Sequence, residues 1–253
     1  MDNLQDFYIK CIKDLKQKET YFNFELVKIT PMKLECTESA YTWIVNYKTN
    51  IITEAKILFK EFEGQINFKR FLVLYYFCFW IVKDILELLP YLPNQIRSSL
   101  NIGAGMGFLD IFLYQLYKKN LNISCVELKS MEKIEHYKKI SENLSNTLNI
   151  SELLNNNIIL NNVNNFKIYE SDSVKKIQDN NEIFDFIISI RSWCFLYDIK
   201  FYSELVRTRL STNGSLICDV SPDRFNEFSN IFNIIHVIKS YKLFNRVLAV
   251  PKI

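Results

Sequence analysis

The spacing of apolar and polar positions divides the chain into two unlike parts. Residues 1–95 carry apolar side chains mostly at helical intervals and show no clear strand alternation. From residue 96 onward, short apolar runs of strand length alternate with amphipathic runs of helical period. We therefore expect a helical cap over residues 1–95 and an α/β domain over residues 96–253.

The second part predicts a doubly wound sheet. Strands that alternate with helices lie parallel, and their helices cover both faces. The last two strand-like runs, "NIIHVIKSY" and "KLFNRVLAV", are joined too tightly for a crossover helix and must pair antiparallel. We expect a mostly parallel, seven-stranded sheet with an antiparallel C-terminal strand. The asparagine-rich run "LLNNNIILNNVNNF" is interpreted as a surface loop that a compositionally biased chain tolerates.

Composition excludes several classes of protein. Hydrophobic residues make up 49% and charged residues 23%, as in ordinary globular proteins. The net charge of +3 is spread along the chain, whereas nucleic-acid binding usually needs a concentrated basic patch. The longest apolar run, "FLVLYYFCFWIV", is shorter than the about 20 residues that cross a bilayer. The N-terminus has no apolar segment typical of a secretory signal, so we expect a cytoplasmic protein without membrane insertion.

Cysteine and histidine usage predicts neither disulfides nor a metal centre. None of the six cysteines forms a C-x-x-C pair, and several lie in apolar runs, so we expect reduced, buried thiols. The chain has two histidines and no close pair of carboxylates, so no metal site is indicated. His236 lies within a predicted strand, where a packed or edge position is expected.

Three of the five glycines fall in one stretch, "SLNIGAGMGFLDIF", as Gly103, Gly105 and Gly107. The stretch follows a predicted strand and opens a predicted helix, which is where nucleotide-like ligands bind in open α/β sheets. Glycine permits positive φ and a close approach of the backbone to a ligand. Dinucleotide enzymes have G-x-G-x-x-G, whereas the third glycine here comes one residue early. The pattern therefore disfavours a nucleotide-dependent oxidoreductase, which is kept as an alternative.

A carboxylate follows the next predicted strand. Glu127 ends "ISCVEL", twenty residues after Gly107, and a carboxylate at this position can accept both ribose hydroxyls of a nucleoside. After the third strand, "YESDS" supplies Asp172, which could simply cap the helix that starts at Ser173.

The motif "NIGAGMG" resembles the G-x-G-x-G loop of class I S-adenosylmethionine (SAM)-dependent methyltransferases, and the resemblance covers residues 97–253. It implies SAM as cofactor, a loop around the methionine part and Glu127 at the ribose. It also implies that Asp172 meets the adenine amino group, as an alternative to capping. The cofactor-binding residues expected from it are Gly103, Ala104, Gly105, Gly107, Glu127, Asp172, Ser173 and Ser189.

The stretch "SIRSWCFLYD" is similar to a bacterial group of small-molecule methyltransferases often identified as sugar O-methyltransferases. Their pattern is approximately S-x-x-S-W-x-F-H-Y-P. Leu196 stands where the group tends to have histidine, and Asp198 where it tends to have proline. The (N/D)-P-P-(Y/F) turn of amino-group methyltransferases is missing. The resemblance implies O-methylation of a small polar acceptor, such as a sugar or a phosphorylated metabolite of surface-polysaccharide assembly. The matching residues are Ser189, Ser192, Trp193, Phe195, Tyr197 and, further on, Asp219.

The missing histidine changes the expected mechanism. An alcohol acceptor needs a base, whereas a phosphate or phosphoramidate oxygen is already anionic and needs a cation to position it. Arg191 could bind such an anion through two parallel hydrogen bonds, or it could be a surface charge or pair with a nearby carboxylate. Tyr197 or Asp198 could accept a proton, or both could only cap the following helix. A SAM-binding scaffold without activity is a further alternative, and the pattern predicts no oligomeric state.

Overall fold

The computed structural model describes residues 84–85, 87–105, 107–117, 120–127, 150–160, 162–170 and 174–252. The expected helical cap lies outside the described residues except for its end. There, Asp84, Ile85, Glu87 and Leu88 are helical, and a 3₁₀ turn covers Leu89–Tyr91. Asp172 and Ser173 also lie outside the described residues.

The described residues form one seven-stranded sheet with the order β3-β2-β1-β4-β5-β7-β6. β7 is antiparallel to both of its neighbours, and the pairs among β1 to β5 are parallel, which confirms the expected sheet. The inner strands are nearly continuous apolar runs because helices cover both faces of a parallel sheet. The strands are β1 Ser98–Ile102, β2 Asn122–Glu127, β3 Phe166–Glu170, β4 Phe184–Ser189, β5 Leu210–Val220, β6 Phe232–Ser240 and β7 Asn245–Pro251.

Two buried apolar clusters lie on opposite faces of the sheet. Alternate residues of β4 illustrate the division, since Ile187 belongs to one cluster and its neighbours Phe186 and Ile188 to the other. α4 and α5 contribute to the first cluster, and α1 and α2 to the second. The helices are α1 Phe108–Leu116, α2 Ile150–Leu160, α3 Val174–Asp179, α4 Ser203–Arg209 and α5 Phe225–Ile231, with 3₁₀ turns at Ile199–Phe201 and Pro222–Arg224.

The asparagine-rich run is a helix over much of its length, so its interpretation as a surface loop was wrong. α2 spans Ile150–Leu160, and Leu154 and Ile158 are fully buried. These two residues lie four apart and share one face of the helix. That apolar stripe packs on the core, and the composition of the run concealed it.

The cysteine prediction is confirmed for the described residues. Cys125, Cys194 and Cys218 are free thiols, and all three are buried. His236 lies on the exposed edge strand β6, where its ring stacks on Tyr91 at 5.0 Å between centroids. Within the described residues, no helix combines the length and apolar character that crossing a bilayer requires.

Candidate active site

The carboxyl ends of β1, β2, β4 and β5 meet at one edge of the sheet, and the glycine loop lies there. Gly103, Gly105 and Gly107 have φ of +79°, +57° and +77°, a left-handed region that side chains rarely adopt. The N–H of Gly103 donates to the carbonyl of Val126 at 2.8 Å, which fixes the loop to the end of β2. The backbone conformation therefore favours glycine at all three positions.

The three glycines differ in what surrounds them. A Cβ on Gly103 would lie 1.9 Å from Oγ of Ser192, and a Cβ on Gly107 would lie 2.5 Å from Cδ1 of Leu154. Among the described residues, a Cβ on Gly105 would meet nothing within 4 Å. Gly103 and Gly107 thus allow close packing of the protein on itself, whereas the backbone of Gly105 faces open space that a ligand can enter.

Glu127 ends β2 beside this open residue. The N–H of Gly105 donates to Oε2 of Glu127 at 2.5 Å, and Glu127 is only 7% exposed. The structure therefore brings together the loop and the carboxylate that the sequence spacing singled out. A nearly buried carboxylate beside an open stretch of backbone is suited to bind neutral hydroxyl groups of a ligand.

A second buried carboxyl group lies behind the loop, and sequence reasoning missed it. Nδ2 of Asn101, on β1, donates to Oδ2 of Asp110, on α1, at 2.8 Å, so the pair joins the two elements that flank the loop. Burial raises the pKa of Asp110 to about 7, although hydrogen bonds with Asn101 and Cys125 act to lower it. The signal in the sequence was that Asn101 and Asp110, on either side of the glycines, are polar residues at positions that the pattern makes apolar.

Ser189, which the resemblance places at the cofactor, makes two hydrogen bonds within the protein. Its hydroxyl is fully buried, donates to the carbonyl of Ile102 at 2.9 Å and accepts from the N–H of Trp193 at 2.9 Å. Both neighbours are backbone groups, so Ser189 joins the end of β1 to the loop after β4. The hydroxyl is thus engaged within the protein, and a cofactor contact of Ser189 remains a prediction.

The loop after β4 carries backbone strain next to the glycine loop. Arg191 and Cys194 have φ of +53° and +63°, although neither is glycine. The carboxylate of Asp219 holds this conformation, since Oδ2 accepts from the backbone N–H of Arg191 at 3.1 Å. Ser192, the next residue, is the one that packs against Gly103. Strained non-glycine residues cluster at functional sites, and this loop adjoins the open backbone.

The side chain of Arg191 adopts one of the alternatives that the sequence left open, a pair with a nearby carboxylate. Its Nη2 donates to Oδ2 of Asp84, and the side chain is 34% exposed. Asp84 precedes β1 and is nearly buried. Binding of an acceptor by Arg191 remains a prediction.

Arg191 belongs to a set of ion pairs that we call the charged cluster: Asp84, Glu87, Arg191, Asp219 and Arg246. Arg246, on β7, is fully buried, and its Nε and Nη2 bind the two oxygens of Asp219 at 2.8 and 3.0 Å. Its Nη1 donates to Oδ1 of Asp84 at 2.8 Å and to Oε2 of Glu87 at 3.2 Å. Burial acts to lower the pKa of Arg246, but Asp219 and Asp84 raise it above its usual value, so the guanidinium stays charged.

Sequence reasoning named Arg191 and Asp219 but did not join them to the other members of the cluster. Among the described residues, no group of three histidine, cysteine or carboxylate side chains could hold a metal ion. Asp84 and Asp219 instead meet at the guanidinium of Arg246.

Tyr197 and Asp198 follow this loop. Asp198 is exposed, and its Oδ1 accepts from the N–H of Lys200 at 2.9 Å, so it caps the 3₁₀ turn Ile199–Phe201 as one alternative anticipated. The carbonyl of Tyr197 accepts from Nη1 of Arg224 at 2.6 Å, and its ring packs edge-on against Phe201. Proton transfer by either side chain remains a prediction.

No protein-family model and no curated protein matches this sequence. Solved structures similar to it include a ribosomal protein L11 methylase from Lactobacillus delbrueckii subsp. bulgaricus, with 13% identity over 66% of this chain and 76% of the other at a TM-score of 0.44. A fibrillarin/Nop5p complex shares 13% identity over 67% and 81% of the two chains, with a TM-score of 0.46. Coclaurine N-methyltransferase bound to N-methylheliamine and SAH shares 18% identity over 56% and 35%, with a TM-score of 0.39.

The assignment of the fold rests on the chain's own topology. β7 lies between β5 and β6 and runs against both, the other strand pairs are parallel, and three left-handed glycines join β1 to α1. The described part of the chain has a doubly wound, Rossmann-like α/β fold.

Proposed function

We propose that this protein is a SAM-dependent methyltransferase that transfers a methyl group to an oxygen of a small polar acceptor. The observation that carries the proposal is the open backbone at Gly105, hydrogen-bonded to the nearly buried carboxylate of Glu127. Nucleosides bind at the carboxyl ends of the strands in such sheets. There, this arrangement leaves space for a ligand and provides a carboxylate that can accept hydrogen bonds from its hydroxyl groups.

The residues fit the cofactor in both shape and charge. The loop Gly103–Gly107 would hold the methionine part, Glu127 would accept the ribose hydroxyls, and Asp172 with Ser173 would complete the adenine side. Bound SAM supplies an electrophilic methyl group on a sulfonium ion. The loop's left-handed glycines leave its backbone bare, and Glu127 fixes the orientation of the nucleoside, so the protein's contribution is positioning.

The acceptor would lie against the loop after β4. Arg191 is one-third exposed there and can hold an anionic group, while Tyr197 and Asp198 are the candidates to take a proton from an alcohol. A phosphorylated sugar or related metabolite supplies both an anionic group and alcohol groups. Its phosphate can bind a guanidinium bidentately. Residues 1–95 would complete the acceptor pocket. The acceptor would be a small molecule and not a nucleic acid. The reaction would belong to the assembly of a surface polysaccharide in the cytoplasm.

A SAM-binding scaffold without activity is the second candidate. Leu196 at the position of the group's histidine favours it, since no imidazole is supplied there. A scaffold would bind SAM and turn over no acceptor, so a panel of phosphorylated and unphosphorylated sugars separates the two. A nucleotide-dependent oxidoreductase is the third candidate and would bind NADH.

Calorimetric titration with SAM and with NADH tests the cofactor assignment. Glu127→Gln keeps an oxygen that can accept from the N–H of Gly105 but removes the charge, so we expect SAM to bind about 10- to 100-fold more weakly. Glu204→Gln, on the exposed side of α4, is the matched control and should bind SAM like the wild type. Equal SAM affinity in wild type and Glu127→Gln, or binding of NADH in place of SAM, contradicts the proposal.

A further inference from the structure

The loop after β4, residues 190–198, is held by hydrogen bonds on the side that faces the end of β5. Oδ2 of Asp219 accepts from the backbone N–H of Arg191 at 3.1 Å. The carbonyl of Cys194 accepts from the N–H and the hydroxyl of Ser221 at 3.1 and 3.2 Å. These bonds oppose the strain of the left-handed φ at Arg191 and Cys194, so they fix the course of the loop.

On its other side, the same loop meets the glycine loop. The side chain of Ser192 occupies the space that a Cβ on Gly103 would need, so the two loops are in direct contact there. The hydroxyl of Ser189 donates to the carbonyl of Ile102 at 2.9 Å and accepts from the N–H of Trp193 at 2.9 Å. Ile102 directly precedes Gly103. One hydroxyl therefore joins the start of the glycine loop to the loop that lies beside it.

Burial makes this bridge sensitive to the loss of one oxygen atom. Ser189 and Trp193 are fully buried, and Ile102 is 1% exposed. Without the hydroxyl, the N–H of Trp193 loses its acceptor, and a buried polar group without a partner is unfavourable. Ser189→Ala therefore favours conformations in which the two loops separate and water reaches these backbone groups.

We propose that Ser189 is a positioning residue that keeps the glycine loop in the conformation that binds SAM. It acts through the backbone of Ile102 and Trp193, a role separate from any contact with the cofactor. Glycine has more backbone freedom than other residues, so a loop that starts at Gly103 needs neighbours to hold it in one conformation before the ligand arrives. The inference rests on the proposed function, and it adds that the loop after β4, which we assign to the acceptor, also sets the affinity for SAM.

Calorimetric titration of the full chain with SAM tests this role. Ser189→Ala removes both hydrogen bonds, so we expect SAM to bind about three- to tenfold more weakly. Ser189→Cys keeps a group that donates and accepts weakly, so it should lose less affinity. Ser99→Ala is the matched control: Ser99, on β1, is also buried, but its hydroxyl has no hydrogen-bond partner within the described residues. This variant should bind SAM like the wild type.

Amide hydrogen exchange of the protein without SAM separates positioning from contact with the cofactor. In Ser189→Ala, the N–H of Gly103 should exchange about tenfold faster relative to the N–H of Ile187 in the middle of β4. A residue that only touches the cofactor would leave this ratio unchanged. Val206→Ala, a buried change on α4, lowers stability away from the bridge and should alter neither this ratio nor the affinity for SAM.

Three results overturn the proposal: wild-type affinity for SAM in Ser189→Ala, an unchanged exchange ratio at Gly103, or equal losses of affinity in Ser189→Ala and Val206→Ala. The wild type reports separately on the proposed function. If it does not bind SAM, the proposed function fails and this inference fails with it. If the wild type binds SAM and Ser189→Ala binds it equally well, only the inference fails.

Discussion

The glycine loop and the charged cluster lie at the same edge of the sheet but are built by opposite means. The loop spans a few consecutive residues and uses bare backbone, with left-handed φ at residues that carry no side chain. The cluster draws Asp84, Arg191, Asp219 and Arg246 from distant parts of the chain and holds the left-handed φ of Arg191 with a hydrogen bond from its backbone N–H to the buried carboxylate of Asp219. The glycine loop avoids backbone strain because its left-handed residues are glycines. The charged cluster keeps a strained arginine in place with a buried carboxylate.

This difference predicts unequal sensitivity to substitution. A loop that depends on local conformation should tolerate distant changes and fail at individual glycines. A cluster whose members neutralise one another should fail when its central cation is removed, because the buried carboxylate of Asp219 then loses its guanidinium partner and Asp84 keeps only Arg191.

The largest effect is expected for Arg246→Met, which keeps the length of the side chain and removes its charge. Asp219 would lose two hydrogen bonds and Asp84 one, so the free energy of unfolding should fall by about 3–5 kcal/mol. Urea denaturation at neutral pH measures this change. Arg207→Met, at an exposed pair, serves as control and should change stability by less than about 0.5 kcal/mol. Similar small losses in both variants would show that the cluster is not held together by Arg246.

The next effect concerns pH and the carboxyl group behind the glycine loop. Burial raises the pKa of Asp110 from 3.8 to about 7, so the folded state binds this proton more tightly than the unfolded state. The contribution of Asp110 to the free energy of unfolding is therefore fully present below pH 4 and lost as the pH rises to 7. Relative to Asp110→Asn, which cannot ionise, the wild type should lose roughly 2–4 kcal/mol across that interval.

Chemical denaturation of both proteins at several pH values measures this difference. A constant difference between wild type and Asp110→Asn across the interval would mean that Asp110 has the same pKa in the folded and unfolded states, which contradicts the raised pKa.

The smallest effect distinguishes two glycines within the loop. Gly103→Ala and Gly105→Ala both force a side chain into left-handed φ, at about 1–2 kcal/mol. Gly103→Ala should lose more stability, because its Cβ also collides with Ser192, whereas Gly105→Ala has room but should weaken SAM binding. Ser192→Gly in the Gly103→Ala background removes the colliding atoms, so it should recover the additional stability that Gly103→Ala loses. Thermal unfolding and SAM titration provide the two readouts, and equal stability losses without rescue would contradict the assigned contacts.

The parts of the molecule predictable from sequence are those set by local spacing. The sheet follows from apolar runs of strand length, and the loop follows from three glycines between a strand and a helix. Glu127 could be placed because the end of β2 adjoins the end of β1 in such a sheet. In α2, by contrast, abundant asparagine concealed the four-residue spacing of Leu154 and Ile158.

Contacts between distant residues could not be predicted in the same way. The members of the charged cluster that contact Arg246 lie 27 to 162 residues from it, and no local pattern links them. Ser189 has the residue type expected of a ligand contact, but the direction of its hydroxyl depends on the backbone of Ile102 and Trp193. Residue types at matching positions therefore do not predict which hydrogen-bond partners a side chain takes.

The position of Arg246 on the one reversed strand also bears on how the protein is made. Asp84 leaves the ribosome 162 residues before the cation that neutralises it, and Asp219 follows much later. During synthesis, Arg191 is the one guanidinium of the charged cluster that can pair with Asp84 before β7 inserts. Because β7 follows the other six strands in the chain, the gap between β5 and β6 can be filled only after the strands around the glycine loop have been made.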